Sequence, residues 1–277
     1  MIFYKTVSAG NDFIHINTEE LSAEEGSNLG QAEKERLAIS LCRNKLGAGA
    51  DGVVFYTLRK ETVDFEIFNS DGSEAELSGN GMAGLTALVL YLKKFQNQVI
   101  LNTRAGQKTH KLLDFNGNSY KLKIEIGKPD FHNSGFFPFL KSDKLDYLFN
   151  KLTFYPVSVG NPHAVVLMDK NFPEKRLLTL GKMIESADIF PHKTNVEFVS
   201  FKPPKEAQVF FFERGVGQTR SSSTGSAAVF AVLQKLNLIK ENLNIKTFQE
   251  ILKISGRETI YIENFTKIVY KGVYLNH

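Results

Sequence analysis

Two short turns carry the residues best placed for chemistry. "SGNG" at 78–81 and "SSTG" at 222–225 each set a hydroxyl three residues ahead of a glycine, and each opens an apolar run. The second run reads as a helix, with Ala228, Val229, Val232 and Leu233 on an i, i+1, i+4, i+5 stripe. A hydroxyl at a helix start is an ordinary N-cap. Flanked by glycine, it can also line an anion site, because unpaired backbone N–H groups and the positive end of the helix point there, or it can hold a nucleophile.

The elements that must position these turns repeat. "FEIFNSDGSEAELSGNGMAGLTALVLYLKK" and "FFFERGVGQTRSSSTGSAAVFAVLQKL" share an aromatic strand, a glycine-containing turn and S-x-x-G opening an apolar helix. Ser78 and Gly81 correspond to Ser222 and Gly225, 144 residues on, which divides the chain near its middle. Short β-rich runs outnumber helical patterns, which fall at 32–44, 82–95, 141–151, 174–186 and 225–237. The excess of strands argues for an α+β architecture over regular βαβ alternation. "GKPDFHNSGFFPF" at 127–139 is the best boundary. The expected domains are 1–127, completed by a C-terminal strand at 266–277, and 128–265, facing each other across a cleft.

Composition narrows the function classes. The chain has 277 residues, enough for two ordinary cores, with 42% hydrophobic and 23% charged residues. A surplus of four positive charges is scattered as Lys without a dense basic run, which argues against nucleic-acid binding. Cys42 is the one cysteine, so no internal disulfide can form and a reducing compartment fits. No apolar stretch is long enough to span a bilayer, and the opening residues alternate like a strand instead of an export signal. The expectation is a cytoplasmic protein.

Two tempting motifs fail. "GAGADG" at 47–52 satisfies G-x-G-x-x-G, yet the helix precedes it and the strand follows, the reverse of the dinucleotide-binding order. A helix C-cap and tight turn explain those glycines better. The six histidines are dispersed with no metal-ligand spacing, so no metal is expected. His163 stands apart because it follows a turn, beside Asn161.

In order, "SAGNDF" at 8–13, "GAGADGVV" at 47–54, "DFEIFNSDGSEAELSGNG" at 64–81, "TRAG" at 103–106, "VSVGNPHAV" at 157–165, "TNVEF" at 194–198 and "ERGVGQT" at 213–219 resemble the diaminopimelate epimerase family, whose fold is shared with proline racemases. The resemblance covers residues 1 to about 235. It implies two similar domains, each a curled mixed or antiparallel sheet around a central helix, with the site in the cleft between them and no cofactor. It implies a small amino-acid substrate, diaminopimelate or similar, carried from the LL to the meso form, and it allows a homodimer. The family's reaction is inversion at an α-carbon by two cysteines, one removing the proton and one returning it from the other face. By position, Ser78 and Ser222 occupy the cysteine sites. Asn11, Asn69, Asn80, Asn161, Asn195 and Arg214 fall on substrate ligands, and Gly79, Ser223 and Thr224 on carboxylate-binding turns. His163 and Glu213 match residues that support the bases.

The departures from the family pattern concentrate at the chemistry. Both cysteines are serines, an Arg-Cys pair is Ala83-Gly84, an acidic residue is Gln218, a glycine is Ser223, and a C-terminal Gly-Pro-Ala turn is missing from "YIENFTKIVYKG". A thiol near pKa ~8.5 can be tuned to thiolate by a helix N-terminus. A serine hydroxyl needs a neighbour to take its proton, and His163 and Glu213 are the candidates. Three readings stay open: an epimerase or racemase of this type, a relative with changed isomerase chemistry, and a non-catalytic amino-acid binder.

Overall fold

A computed structural model describes residues 1–25, 29–141, 144–149, 151–168, 172–247 and 251–275. The chain adopts the α+β class and divides into two compact units, Met1–Ile124 with Asn264–His277, and Glu125–Glu263.

The first unit holds β1 (Ile2–Ser8), β2 (Asn11–Asn17), α1 (Thr18–Glu25), α2 (Gln31–Cys42), β3 (Gly52–Leu58), β4 (Val63–Asn69), β5 (Glu74–Ala75), α3 (Gly79–Tyr91), β6 (Gln98–Thr103), β7 (Gly106–Asn116) and most of β8 (Ser119–Gly127). Strand β1 pairs antiparallel with β2, β2 parallel with β3, β3 antiparallel with β4, and β4 antiparallel with β5 and parallel with β6. The hairpins β6–β7 and β7–β8 follow.

The second unit holds β9 (Tyr147–Phe149), β10 (Leu152–Ser158), β11 (Pro162–Leu167), α4 (Glu174–Glu185), β12 (Asn195–Lys202), β13 (Glu206–Glu213), β14 (Gly217–Thr219), α5 (Ser223–Lys235), β15 (Asn242–Lys246) and β16 (Ile251–Gly256). From β10 on, its pairings repeat the plan of the first unit: antiparallel β10–β11, parallel β11–β12, antiparallel β12–β13 and β13–β14, parallel β13–β15, antiparallel β15–β16. The long strand β17 (Ile260–Val273) pairs with β16 at its start, then with β1 and β8, completing a circuit of strands in the first unit. It runs unbroken through "YIENFTKIVYKG".

Helices α3 and α5 are apolar on every side, and such a helix is stable only when covered all round. Residues Gly79–Leu90 of α3 and Ser223–Leu233 of α5 are buried. Helix α4, by contrast, buries one face through Leu177, Gly181 and Ile184. Beneath it, Phe137, Phe154 and Phe190 meet edge-on, the favourable aromatic geometry. The helix expected over 141–151 is not there: the described residues end in the strand β9, and 142, 143 and 150 lie outside them. That stretch is a strand because Tyr147 and Phe149 pack on the aromatic cluster while β9 pairs with β10, so tertiary contacts override a weak helical period.

"GAGADG" links the end of α2 to β3 as a tight turn: Gly49 has φ +67°, and a side chain on Gly47 would strike the carbonyls of Ser40 and Leu41. The turn is tied to β2 by reciprocal bonds, from Asp12 N–H to Asp51 Oδ2 and from Asp51 N–H to Asp12 Oδ1, each 3.1 Å. Lys5 lies 2.6 Å from Asp12. Burial pushes Asp51 up from the usual carboxylate range and the Cys42 thiol up to about 12. Cys42 is therefore an inert core residue.

No helix among the described residues is long and apolar enough to cross a membrane, and none of their His, Cys, Asp and Glu side chains form a metal-sized cluster.

Candidate active site

In the first unit, Ser78 caps α3, its Oγ accepting from Gly81 N–H at 3.1 Å. Within this unit that is the hydroxyl's recorded bond among the described residues. Gly79 and Asn80 open the helix behind it and are buried. Asn80 joins a buried polar chain. Its Nδ2 donates to Asn11 Oδ1 at 2.6 Å, and its Oδ1 accepts from Asn264 Nδ2 at 3.2 Å. Asn264 Oδ1 accepts in turn from Ser8 and Thr266, at 2.7 and 2.9 Å, and Asn11 Nδ2 donates to Asp51 at 3.0 Å. Asn69 is not part of this chain: it ends β4 and donates to Ser73 Oγ at 3.0 Å, closing its own turn.

The departures in α3 have a packing consequence. Ala83 is fully buried, and Gly84 leaves room that the His15 ring and the Thr6 hydroxyl fill. An added Cβ at 84 would strike Thr6 Oγ1 and sit 2.8 Å from His15 Nε2. Those two side chains hydrogen-bond at 2.8 Å, and burial lowers His15 to about 3, so this imidazole is a neutral core group.

In the second unit, Ser222 caps α5 in the same way, Oγ accepting from Gly225 N–H at 3.2 Å. Unlike Ser78, it has a carboxylate beside it. Ser222 Oγ–H donates to Glu213 Oε2 at 3.1 Å, and Thr219 Oγ1 donates to Glu213 Oε1 at 2.5 Å. Glu213 stands at the end of β13 and Thr219 at the end of β14, which pair as a hairpin, so local strand geometry brings this carboxylate to the helix start. Ser223 and Thr224 are buried in the first turn of α5. Gln218, at a position where the family pattern has an acid, donates to Glu174 at 2.8 Å on the surface.

Asn161, His163 and Thr224 form a second buried line. His163 Nε2 lies 2.9 Å from Asn161 Oδ1, and Asn161 Nδ2 lies 3.5 Å from Thr224 Oγ1. The other ring nitrogen, Nδ1, meets Glu197 Oε1 at 2.8 Å. Both nitrogens of His163 are thus engaged inside the second unit. Asn195 acts as a brace there. Its Nδ2 donates to Pro162 O at 2.8 Å and its Oδ1 accepts from Arg214 N–H at 2.9 Å, joining β11 to the turn after β13. Arg214 Nη1 reaches His192 O at 3.1 Å.

The sequence reading missed Glu197, Asn264, Ser8 and Thr266. Glu197 had a readable signal: a charged residue between Val196 and Phe198 in an apolar strand. The others had none, because their meeting depends on β17 returning beside β1.

Each unit thus sets a serine-capped helix start among hydroxyls and asparagines, with a carboxylate on the serine in the second. The family model described as diaminopimelate epimerase matches residues 3–132 and 155–271.

The chain belongs to the diaminopimelate epimerase family.

It is 33% identical to a diaminopimelate epimerase of Carboxydothermus hydrogenoformans, over 99% of both chains. It is 31% identical to that of Methanococcus aeolicus, over 98% of this chain and 97% of the other. Among solved structures, a hydroxyproline epimerase from Agrobacterium vitis matches at a TM-score of 0.68 and 14% identity, covering 99% of this chain and 90% of that one. That last likeness is one of fold. By family this chain is an isomerase.

Proposed function

We propose that this chain exchanges and inverts the α-proton of a small amino acid, diaminopimelate or a close relative, without a cofactor, and that Ser222 backed by Glu213 is its stronger base. What supports the reading is the Ser222 Oγ–H bond to Glu213 Oε2 at 3.1 Å, made while the same oxygen accepts from Gly225 N–H. In the step proposed, the substrate Cα–H bond breaks, and its proton goes to Ser222 Oγ as the hydroxyl's own proton passes to Glu213. The electron pair left on the substrate spreads into its carboxylate. Backbone N–H groups at a helix start stabilise such a charge because they are already oriented. The turns 79–81 and 223–225 are the proposed carboxylate seats, and Asn11, Asn69, Asn80, Asn161, Asn195 and Arg214 the proposed surrounding ligands. On the other face Ser78 Oγ–H would give its proton to Cα and take one back from solvent water, while Glu213 releases the proton it received to solvent, which restores both residues.

Among the described residues Ser78 has a hydrogen bond only to Gly81 N–H, which favours a second reading: a protein that binds the amino acid and turns it over barely, if at all. One experiment separates the two. Under the first reading, diaminopimelate binds in calorimetry, and Ser78→Cys with Ser222→Cys raises deuterium exchange into it by about a hundredfold, because thiols ionise where hydroxyls do not. Binding with no gain in the double variant establishes the binder. Brisk epimerisation by the unmodified protein rules out the binder.

A further inference from the structure

We infer that Glu197 is a positioning residue, which through His163 fixes the amide of Asn161 so that its N–H₂ end faces Thr224; the inference rests on the reading of Asn161 as a substrate ligand. Strands β11 and β12 run parallel with His163 opposite Asn195 and Val165 opposite Glu197, so His163 and Glu197 are diagonal neighbours. Both side chains are fully buried. The Glu197 carboxylate lies against the first turn of α5, where a Cβ on Gly225 would sit 2.6 Å from Oε1. Oε1 meets His163 Nδ1, and Oε2 has no hydrogen-bond partner among the described residues.

In the proposed arrangement His163 Nε2 carries a proton and donates it to the Asn161 carbonyl oxygen, 2.9 Å away. Nδ1 faces a carboxylate oxygen at 2.8 Å, so a second proton lies between them, on whichever atom. With Nε2 always a donor, the Asn161 amide has one orientation. His163 is then no proton acceptor for either serine; it keys the asparagine.

The test uses the full chain labelled with ¹⁵N-histidine, with His163 assigned by its loss in His163→Gln. The inference expects a protonated Nε2 at neutral pH, and an Nε2 without a proton overturns it. Glu197→Gln can donate its amide N–H to Nδ1 and keep Nε2–H, so diaminopimelate should bind within about threefold of wild type. Glu197→Ala frees the tautomer and should weaken binding about tenfold, the scale of one buried hydrogen bond. Equal losses in the two variants, or no loss in either, overturn the inference. If Glu197→Ala does not fold, the labelled wild-type protein still decides. If wild type binds no diaminopimelate, the proposed function fails, and the Nε2 signal still tests the keying.

Discussion

Ser78 and Ser222 cap α3 and α5 through the same bond, from the N–H three residues on, at 3.1 and 3.2 Å. Around them the two turns diverge. The first continues through amides and hydroxyls, from Asn80 and Asn11 to Asn264, Ser8 and Thr266, and meets a carboxylate, Asp51, only behind Asn11. The second continues into two carboxylates, Glu213 on Ser222 and Glu197 on His163. A repeated fold therefore carries two kinds of helix start. One follows its capping serine with a chain of amides, and the other bonds its capping serine directly to a carboxylate. The difference teaches that one backbone design serves two surroundings, because N–H groups at a helix start do not depend on what lies around the residue that caps them.

The largest way to break this comparison is at Glu213. Glu213→Gln removes the proton acceptor of Ser222, and deuterium exchange into diaminopimelate should fall about a hundredfold or more, the usual scale for a general base. Folding should survive, since an amide can still accept from Thr219. Unchanged exchange would mean that the carboxylate is only a brace.

Stability sharpens the comparison next. Gly225→Ala puts a Cβ 2.6 Å from Glu197 Oε1 and 3.0 Å from the Phe211 ring, so it should cost about 2–3 kcal/mol in denaturant unfolding. Gly81→Ala meets Ile67 Cδ1 at 2.9 Å, the movable end of a side chain, and should cost about 1 kcal/mol. Equal costs would show that Glu197 can move aside, and would weaken the case for its fixed place.

The smallest effect concerns the caps. Ser78→Ala should cost about 1 kcal/mol, an ordinary cap. Ser222→Ala should cost slightly more, since it also takes one donor from Glu213. Thermal unfolding of the two variants side by side gives the difference.

What the sequence made legible was local or repeated. S-x-x-G before an apolar run marks a cap from four residues, and its recurrence at 78 and 222 exposed the shared plan. The inverted order around "GAGADG" was enough to read a turn there. The stretch 141–151 misled because a short apolar run is too brief to separate a helix period from a strand period, and packing against Phe139 and Phe154 decided it. The isolated asparagines could be placed but not given work: Asn195 and Asn69 look alike in sequence, yet one braces two strands and the other closes a turn. Glu197 and Asn264 acquire partners only through strand pairing, which short-range pattern does not carry.

The central claim is that one turn has a carboxylate-backed base and the other does not. Solvent deuterium wash-in at the α-carbon, followed separately from LL- and meso-diaminopimelate with the unmodified protein, tests it most directly, because the L centre of one and the D centre of the other present their protons to different bases. The account predicts slow exchange that is at least about tenfold faster from one isomer than from the other, with the faster one abolished by Glu213→Gln. Equal rates from both isomers, at any speed, would contradict it.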